Sequence, residues 1–121
     1  MKASLQHVHL FASNLDESLK FYQDMFDAKV IFDAEVAGAR NVMISIGSGA
    51  INFYDQPPKD SGRGVVHHLG IETDDIEALV EKMKSKGFQF RKPVTDLGTL
   101  KYVMLAGPDN ILIELFQPIE V

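Results

Sequence analysis

Residues 5–22 read LQHVHLFASNLDESLKFY, and the change of apolar period inside this stretch decides the fold. From Leu5 to Ala12 the pattern alternates, with Val8, Leu10 and Ala12 on one face of an extended chain and His7, His9 and Phe11 on the other. From Asn14 the period lengthens. Asn14 followed by Glu17 is a helix-capping pair, and Leu15, Leu19, Tyr22 and Phe26 then recur at helical spacing. A strand with two histidines on its polar face therefore leads into one amphipathic helix.

Working outward, Lys29 to Val36, Asn41 to Ile46 and Ala50 to Tyr54 read as three strands, with turns at Ala37-Gly38-Ala39 and Gly47-Ser48-Gly49. The first half is βαβββ. Asp55 to Gly64 (DQPPKDSGRG) carries prolines, glycines and charges without apolar periodicity, which marks a connection. Val65 to Thr73 (VVHHLGIET) is a second histidine-bearing strand. Asp74 with Glu77 repeats the cap, and Ile76, Leu79, Val80 and Met83 rebuild a helical stripe that stops at Gly87. Strands at Phe88 to Arg91, Leu100 to Leu105 and Ile111 to Phe116 complete a second βαβββ unit.

The halves superpose as sequences. At an offset of 61, His7 meets His68, Leu10 meets Ile71, Asn14 meets Asp75 and Leu19 meets Val80; near the module ends an offset of 62 brings Asn52 onto Glu114. Two units too small to bury a sheet face alone are expected to share a surface, and that surface is where a ligand belongs. The expected organisation is one α+β domain. Residues 1–57 form the first module, 58–64 the linker and 65–121 the second module, and the two together make a curved mixed sheet around a concave site.

Composition narrows the class. The 121 residues are 45% hydrophobic, enough for a core without disulfides, and no cysteine is present, which removes thiol nucleophiles and thiolate metal sites. No run approaches the roughly 20 apolar residues of a membrane span, and the polar-interrupted start lacks a signal-peptide core, so a cytoplasmic protein without membrane contact is expected. Seventeen acidic against twelve basic residues give a formal charge of −5 with the basic residues scattered, which argues against nucleic acid. Gly62-Arg63-Gly64 lacks the spacing and lysine of a phosphate loop, and no nucleophile motif occurs.

All four histidines sit in His7-Val8-His9 and His67-His68, at matching points of the two halves, and Glu114 interrupts an apolar last strand. Neutral imidazoles with one carboxylate are a donor set for a divalent metal, and a carboxylate in such a strand needs a partner of this kind. By strand parity His9 shares a face with His7, whereas His67 points to the opposite, core-facing side.

The stretches His7-Val8-His9-Leu10, Asn14 to Tyr22 with its Phe21-Tyr22 pair, Ala106-Gly107-Pro108-Asp109-Asn110 and Ile113-Glu114-Leu115 resemble the vicinal oxygen chelate superfamily over essentially the whole chain. That superfamily includes glyoxalase I, extradiol dioxygenases, fosfomycin-resistance transferases and bleomycin-binding proteins. The resemblance implies ligand positions at His7, Asn52, His68 and Glu114. Asn52 departs from the acidic residue of glyoxalase I, so His7, His68 and Glu114 remain as the expected ligands of one divalent ion, with Mn, Fe, Zn, Ni and Co not distinguished.

The implied activity is a metal-dependent lyase or isomerase, a dioxygenase or a fosfomycin-type transferase acting on a small oxygen-chelating molecule. His9 is the expected acid-base group. Phe11, Asn52, Tyr54, Tyr102, Met104 and Phe116 are expected to line the substrate face. A basic, serine-bearing segment for a phosphonate is missing, since residues 91–100 offer only Arg91, Lys92, Thr95 and Thr99. The other class implied is a metal-free drug- or metabolite-binding protein of the bleomycin-resistance type. A homodimer is expected in either case, with modules pairing within one chain or between two.

Overall fold

The computed structural model describes residues 2–59 and 66–119. The chain divides into two compact units, Met1–Ser61 and Gly62–Val121. Expected linker positions from residue 60 onward, and Val65 at the start of the expected second histidine strand, lie outside the described residues.

In the first unit β1 (His7–Phe11) leads to α1 (Leu15–Phe26), and β2 (Lys29–Val36), β3 (Ala39–Ile46) and β4 (Gly49–Tyr54) follow. Their sheet has the order β1-β4-β3-β2. β1 runs parallel to β4, as a helical crossover permits, while the two hairpins are antiparallel. Asn14 caps α1 by accepting from the Glu17 amide at 3.1 Å. The two-residue turn Ala37–Gly38 has φ of 54° and 85°, the left-handed pair that lets a tight hairpin follow the strand twist.

Burial decides which sheet face is which. Val42, Ile44, Ile51 and Phe53 are buried together with Leu15, Leu19, Tyr22 and Met25 of α1, and the Tyr22 and Phe53 rings meet at 5.5 Å. The helix thus covers the face that carries Val8 and Leu10. The histidines are left on the other.

The second unit repeats the plan: β5 (Leu69–Glu72), α2 (Ile76–Ser85), β6 (Thr95–Asp96), β7 (Leu100–Ala106) and β8 (Leu112–Pro118), in the order β5-β8-β7-β6. Ile76, Val80 and Met83 of α2 and Val103, Leu105, Ile113 and Leu115 of the sheet are buried. Two four-stranded mixed sheets, each with one helix, make the α+β class expected from the sequence.

Three sequence expectations shift. The cap of α2 is Asp75, whose carboxylate accepts from the Ala78 amide at 3.1 Å, and not Asp74; Asp75 is the residue that the offset of 61 aligns with Asn14. Phe88 to Arg91 is not a strand. Gly87 adopts φ 94°, the Phe88 amide donates to the Met83 carbonyl at 3.0 Å and the Gly87 amide to the Lys84 carbonyl at 3.0 Å, which is a Schellman closure of α2. Phe88 and Phe90 then pack edge to face at 4.9 Å, and the edge strand forms later, at Thr95–Asp96. Last, β5 begins at Leu69, so His67 and His68 precede the strand. Among the described residues no helix is long and apolar enough to cross a membrane.

Ile44 is fully buried, so Ile44→Ala is expected to remove about 2–5 kcal/mol in urea denaturation, whereas Ile31→Ala on the exposed edge strand changes stability by less than about 0.5 kcal/mol. Ala37 holds a left-handed conformation with an ordinary side chain. Ala37→Asn should therefore raise the urea midpoint, by up to about 1 kcal/mol of stability.

Candidate metal and ligand site

The face of the first unit that α1 leaves uncovered is built by register. His7, His9 and Phe11 pair with Ala50, Asn52 and Tyr54 of β4, and these pair with Ser45, Met43 and Asn41 of β3. Paired residues share a face, so His9, Asn52 and Met43 form one cross-strand row and Phe11, Tyr54 and Asn41 the next. Phe32 extends the first row from β2 and is 45% exposed. The His9 and Tyr54 rings stand 4.6 Å apart, and Phe11 stacks on Tyr54 at 6.3 Å. Desolvation, then the neighbouring His7 charge, holds His9 below the usual imidazole range.

Asn52 is oriented by its neighbour. Both amide hydrogens of buried Asn41 are spent, at 3.0 Å on the Val36 carbonyl and 3.1 Å on the Ala39 carbonyl of the hairpin. The Asn41 oxygen must therefore act as acceptor, and Asn52 offers Nδ2 to it in a long 3.5 Å contact. Among the described residues Asn52 Oδ1 has no hydrogen-bond partner, although it is buried. An orphaned buried carbonyl oxygen is costly in isolation and becomes favourable once a cation or a hydrogen-bond donor meets it.

In the second unit β8 places Glu114 beside Gly70 of β5 and Met104 of β7, and Phe116 beside Glu72 and Tyr102. His68 lies two residues before Gly70, as His7 lies two before His9. Its Nε2 is 3.8 Å from Glu114 Oε1, with both side chains about 30% exposed. A β-carbon added at Gly70 would meet the Phe116 ring at 3.5 Å, so this ring covers the place where the first unit carries the His9 side chain.

The register thus brings together the expected residues of each module: His7, His9, Phe11, Asn52 and Tyr54 in the first, Tyr102, Met104, Glu114 and Phe116 with His68 in the second. His67 does not turn into the core as expected. It is exposed, and its Nδ1 lies 2.8 Å from His68 Nδ1. Strand parity fails there because the strand starts two residues later. The sequence reading also passed over Gln6, whose Oε1 accepts from His7 Nδ1. Its one available signal was the offset of 61 that pairs Gln6 with His67.

Among the described residues, no three His, Cys, Asp or Glu side chains gather into a group that could hold a metal ion. The first unit carries an imidazole at His7 and a buried amide oxygen at Asn52, and the second an imidazole and a carboxylate 3.8 Å apart at His68 and Glu114, nitrogen and oxygen donors of the kind borderline divalent ions accept.

The comparisons with known proteins bear on the family and the fold. The chain is 30% identical to a lactoylglutathione lyase of Schizosaccharomyces pombe, an alignment that takes in 96% of this chain and 48% of that one. It spans about half the length of that relative and of the relatives it matches in Brassica oleracea and Arabidopsis thaliana. Its fold is similar to that of TnmS3, an antibiotic binding protein from Streptomyces sp. CB03234, with a TM-score of 0.82, 19% identity and 98% of both chains covered. It is also similar to FosX of Listeria monocytogenes, a fosfomycin resistance protein solved with Mn(II) and sulfate, with a TM-score of 0.76, 18% identity, and 98% of this chain and 95% of that chain covered. Residues 4–115 match the model of the Glyoxalase/Bleomycin resistance protein/Dioxygenase superfamily, and the chain belongs to that superfamily.

Proposed function

We propose that the chain is a divalent-metal-dependent enzyme that acts on a small oxygen-chelating metabolite, with His7, His68 and Glu114 as the protein ligands. The observation that carries this reading is the pairing of His68 Nε2 with Glu114 Oε1 at 3.8 Å, on a register that repeats the placement of His7 and Asn52. Two imidazoles and one carboxylate leave coordination positions free, and a metal held there would polarise a substrate oxygen. His9, beside Asn52 and with its ring 4.6 Å from that of Tyr54, is the candidate to move a proton, and Phe11, Tyr54, Tyr102, Met104 and Phe116 are the candidate apolar lining. The proposed assembly is a cytoplasmic homodimer.

Asn52 stands where the resemblance puts an acidic ligand in glyoxalase I. A reaction other than that of the lactoylglutathione lyase relative is therefore proposed, with a fosfomycin-type or dioxygenase-type transformation closer to the donor set. A second reading, a metal-free protein that binds a planar drug or metabolite, is favoured by the His9, Tyr54 and Phe11 ring series and by the likeness to an antibiotic-binding fold.

Elemental analysis of protein purified without a histidine tag separates the two. Stoichiometric metal is expected in the unaltered chain and its loss in His68→Ala and Glu114→Gln. Free metal at about 100 times its Kd should stabilise the unaltered chain by about 2.7 kcal/mol, and neither variant. Equal metal content and equal thermal response in all three proteins leave only the metal-free reading.

The Asn41 constraint gives a further expectation. In Asn52→Asp a carboxylate meets the Asn41 oxygen with no hydrogen between them, which should cost the metal-free chain about 1–3 kcal/mol in urea denaturation. The same change made in an Asn41→Ala background should cost less, so a double-mutant cycle reads the coupling directly.

A further inference from the structure

We propose that Gln6 and His67, the residues immediately before the two candidate histidine ligands, are positioning residues that hold each ligand's Nδ1 and so leave its Nε2 to bind. The two occupy repeat-equivalent positions, at the same offset of 61 that relates His7 to His68. Each makes the same kind of contact. Gln6 Oε1 lies against His7 Nδ1 at 2.5 Å, and His67 Nδ1 lies against His68 Nδ1 at 2.8 Å.

In the first unit the direction of the hydrogen bond follows from a third residue. Gln6 Nε2 is 3.7 Å from the Met43 sulfur, and a thioether can accept a hydrogen bond but has none to donate. The Gln6 NH2 group therefore belongs on Met43, which turns its carbonyl oxygen toward His7. A carbonyl oxygen can only accept, so His7 Nδ1 carries the hydrogen and Nε2 keeps its lone pair. Met43 lies in the cross-strand row of His9 and Asn52, so the sheet itself fixes this sulfur.

In the second unit the partner is a second imidazole, which can accept or donate at Nδ1. His68 Nε2 faces Glu114, and when that nitrogen serves as a donor atom to a ligand its hydrogen must sit on Nδ1, where His67 accepts it. The two modules thus differ: Gln6 imposes one tautomer on His7, and His67 supports that tautomer of His68 without imposing it. The value of Nε2 as a ligand atom rests on the metal reading above. The tautomers themselves do not.

Imidazole nitrogen NMR of the 15N-labelled, metal-free protein, above the pH range of histidine protonation, tests the proposal. His7 is expected to show a protonated Nδ1 and a bare Nε2. Gln6→Met, which keeps chain length and puts a far weaker thioether acceptor in place of the carbonyl oxygen, should move His7 toward the Nε2-protonated form that predominates in free neutral histidine, and Gln6→Glu should keep the original signature. Titration with zinc alone should then shift Nε2 of His7 and His68. Affinity should be about tenfold weaker in Gln6→Met and His67→Leu, and close to that of the unaltered chain in Gln6→Glu and His67→Gln. A His7 signature that is Nε2-protonated in the unaltered chain, or unmoved by Gln6→Met, overturns the role of Gln6. Equal zinc affinity in His67→Leu and the unaltered chain overturns that of His67. Zinc that leaves every Nε2 unmoved while the Gln6 series behaves as expected overturns the metal reading and supports the role of Gln6.

Discussion

Strand parity, fixed by a helix on one side of each sheet, is the constraint on which the rest of the molecule depends. In the first unit Val42, Ile44, Ile51 and Phe53 have to meet the buried stripe of α1, and the alternation of a strand then sends Asn41, Met43, Asn52 and Tyr54 the other way. A slip of one residue in β4 would bury Asn52 and Tyr54 against the helix and expose Ile51 and Phe53. The apolar core therefore sets the register, and the register sets the polar row. Placement of the donors follows from packing and needs no ligand to enforce it.

This is also why so much was legible in the sequence. Alternation over Leu5 to Ala12 put His7, His9 and Phe11 on one face, and the internal offset identified Asn52 and Glu114 as equivalent positions; the β1–β4 and β5–β8 registers place both as the repeat requires. What escaped detection lies where parity does not reach. His67 precedes its strand, so counting by twos gave it the wrong side. Phe88 and Phe90 looked like an edge strand because they are aromatic and alternate, yet Gly87 turns the chain into a helix closure that takes up the Phe88 amide. Asp74 and Asp75 both suit a cap. Only the geometry of the turn chooses between them, and it chooses Asp75.

The two modules share a backbone plan and differ in their chemistry. His9 corresponds to Gly70, and the room gained by that loss of a side chain is taken by the Phe116 ring, whereas in the first unit the Tyr54 ring lies tilted against the retained His9. Asn52 corresponds to Glu114, so of these two positions only Glu114 carries a formal charge.

The same difference extends to the groups behind the histidines. An amide carbonyl tied to a thioether is a rigid acceptor with one outcome for the tautomer of His7, while an imidazole behind His68 accepts in one state and donates in the other. Rigidity on the first module suits an imidazole whose module carries the uncharged Asn52 at the position equivalent to Glu114. On the second, Glu114 Oε1 lies 3.8 Å from His68 Nε2, and under the proposed metal reading a hydrogen on that nitrogen would move to Nδ1 as the ion binds. A partner that accepts the relocated hydrogen lowers the cost of that step. A fixed donor in the place of His67 would raise it, because two N–H groups would then face each other across 2.8 Å.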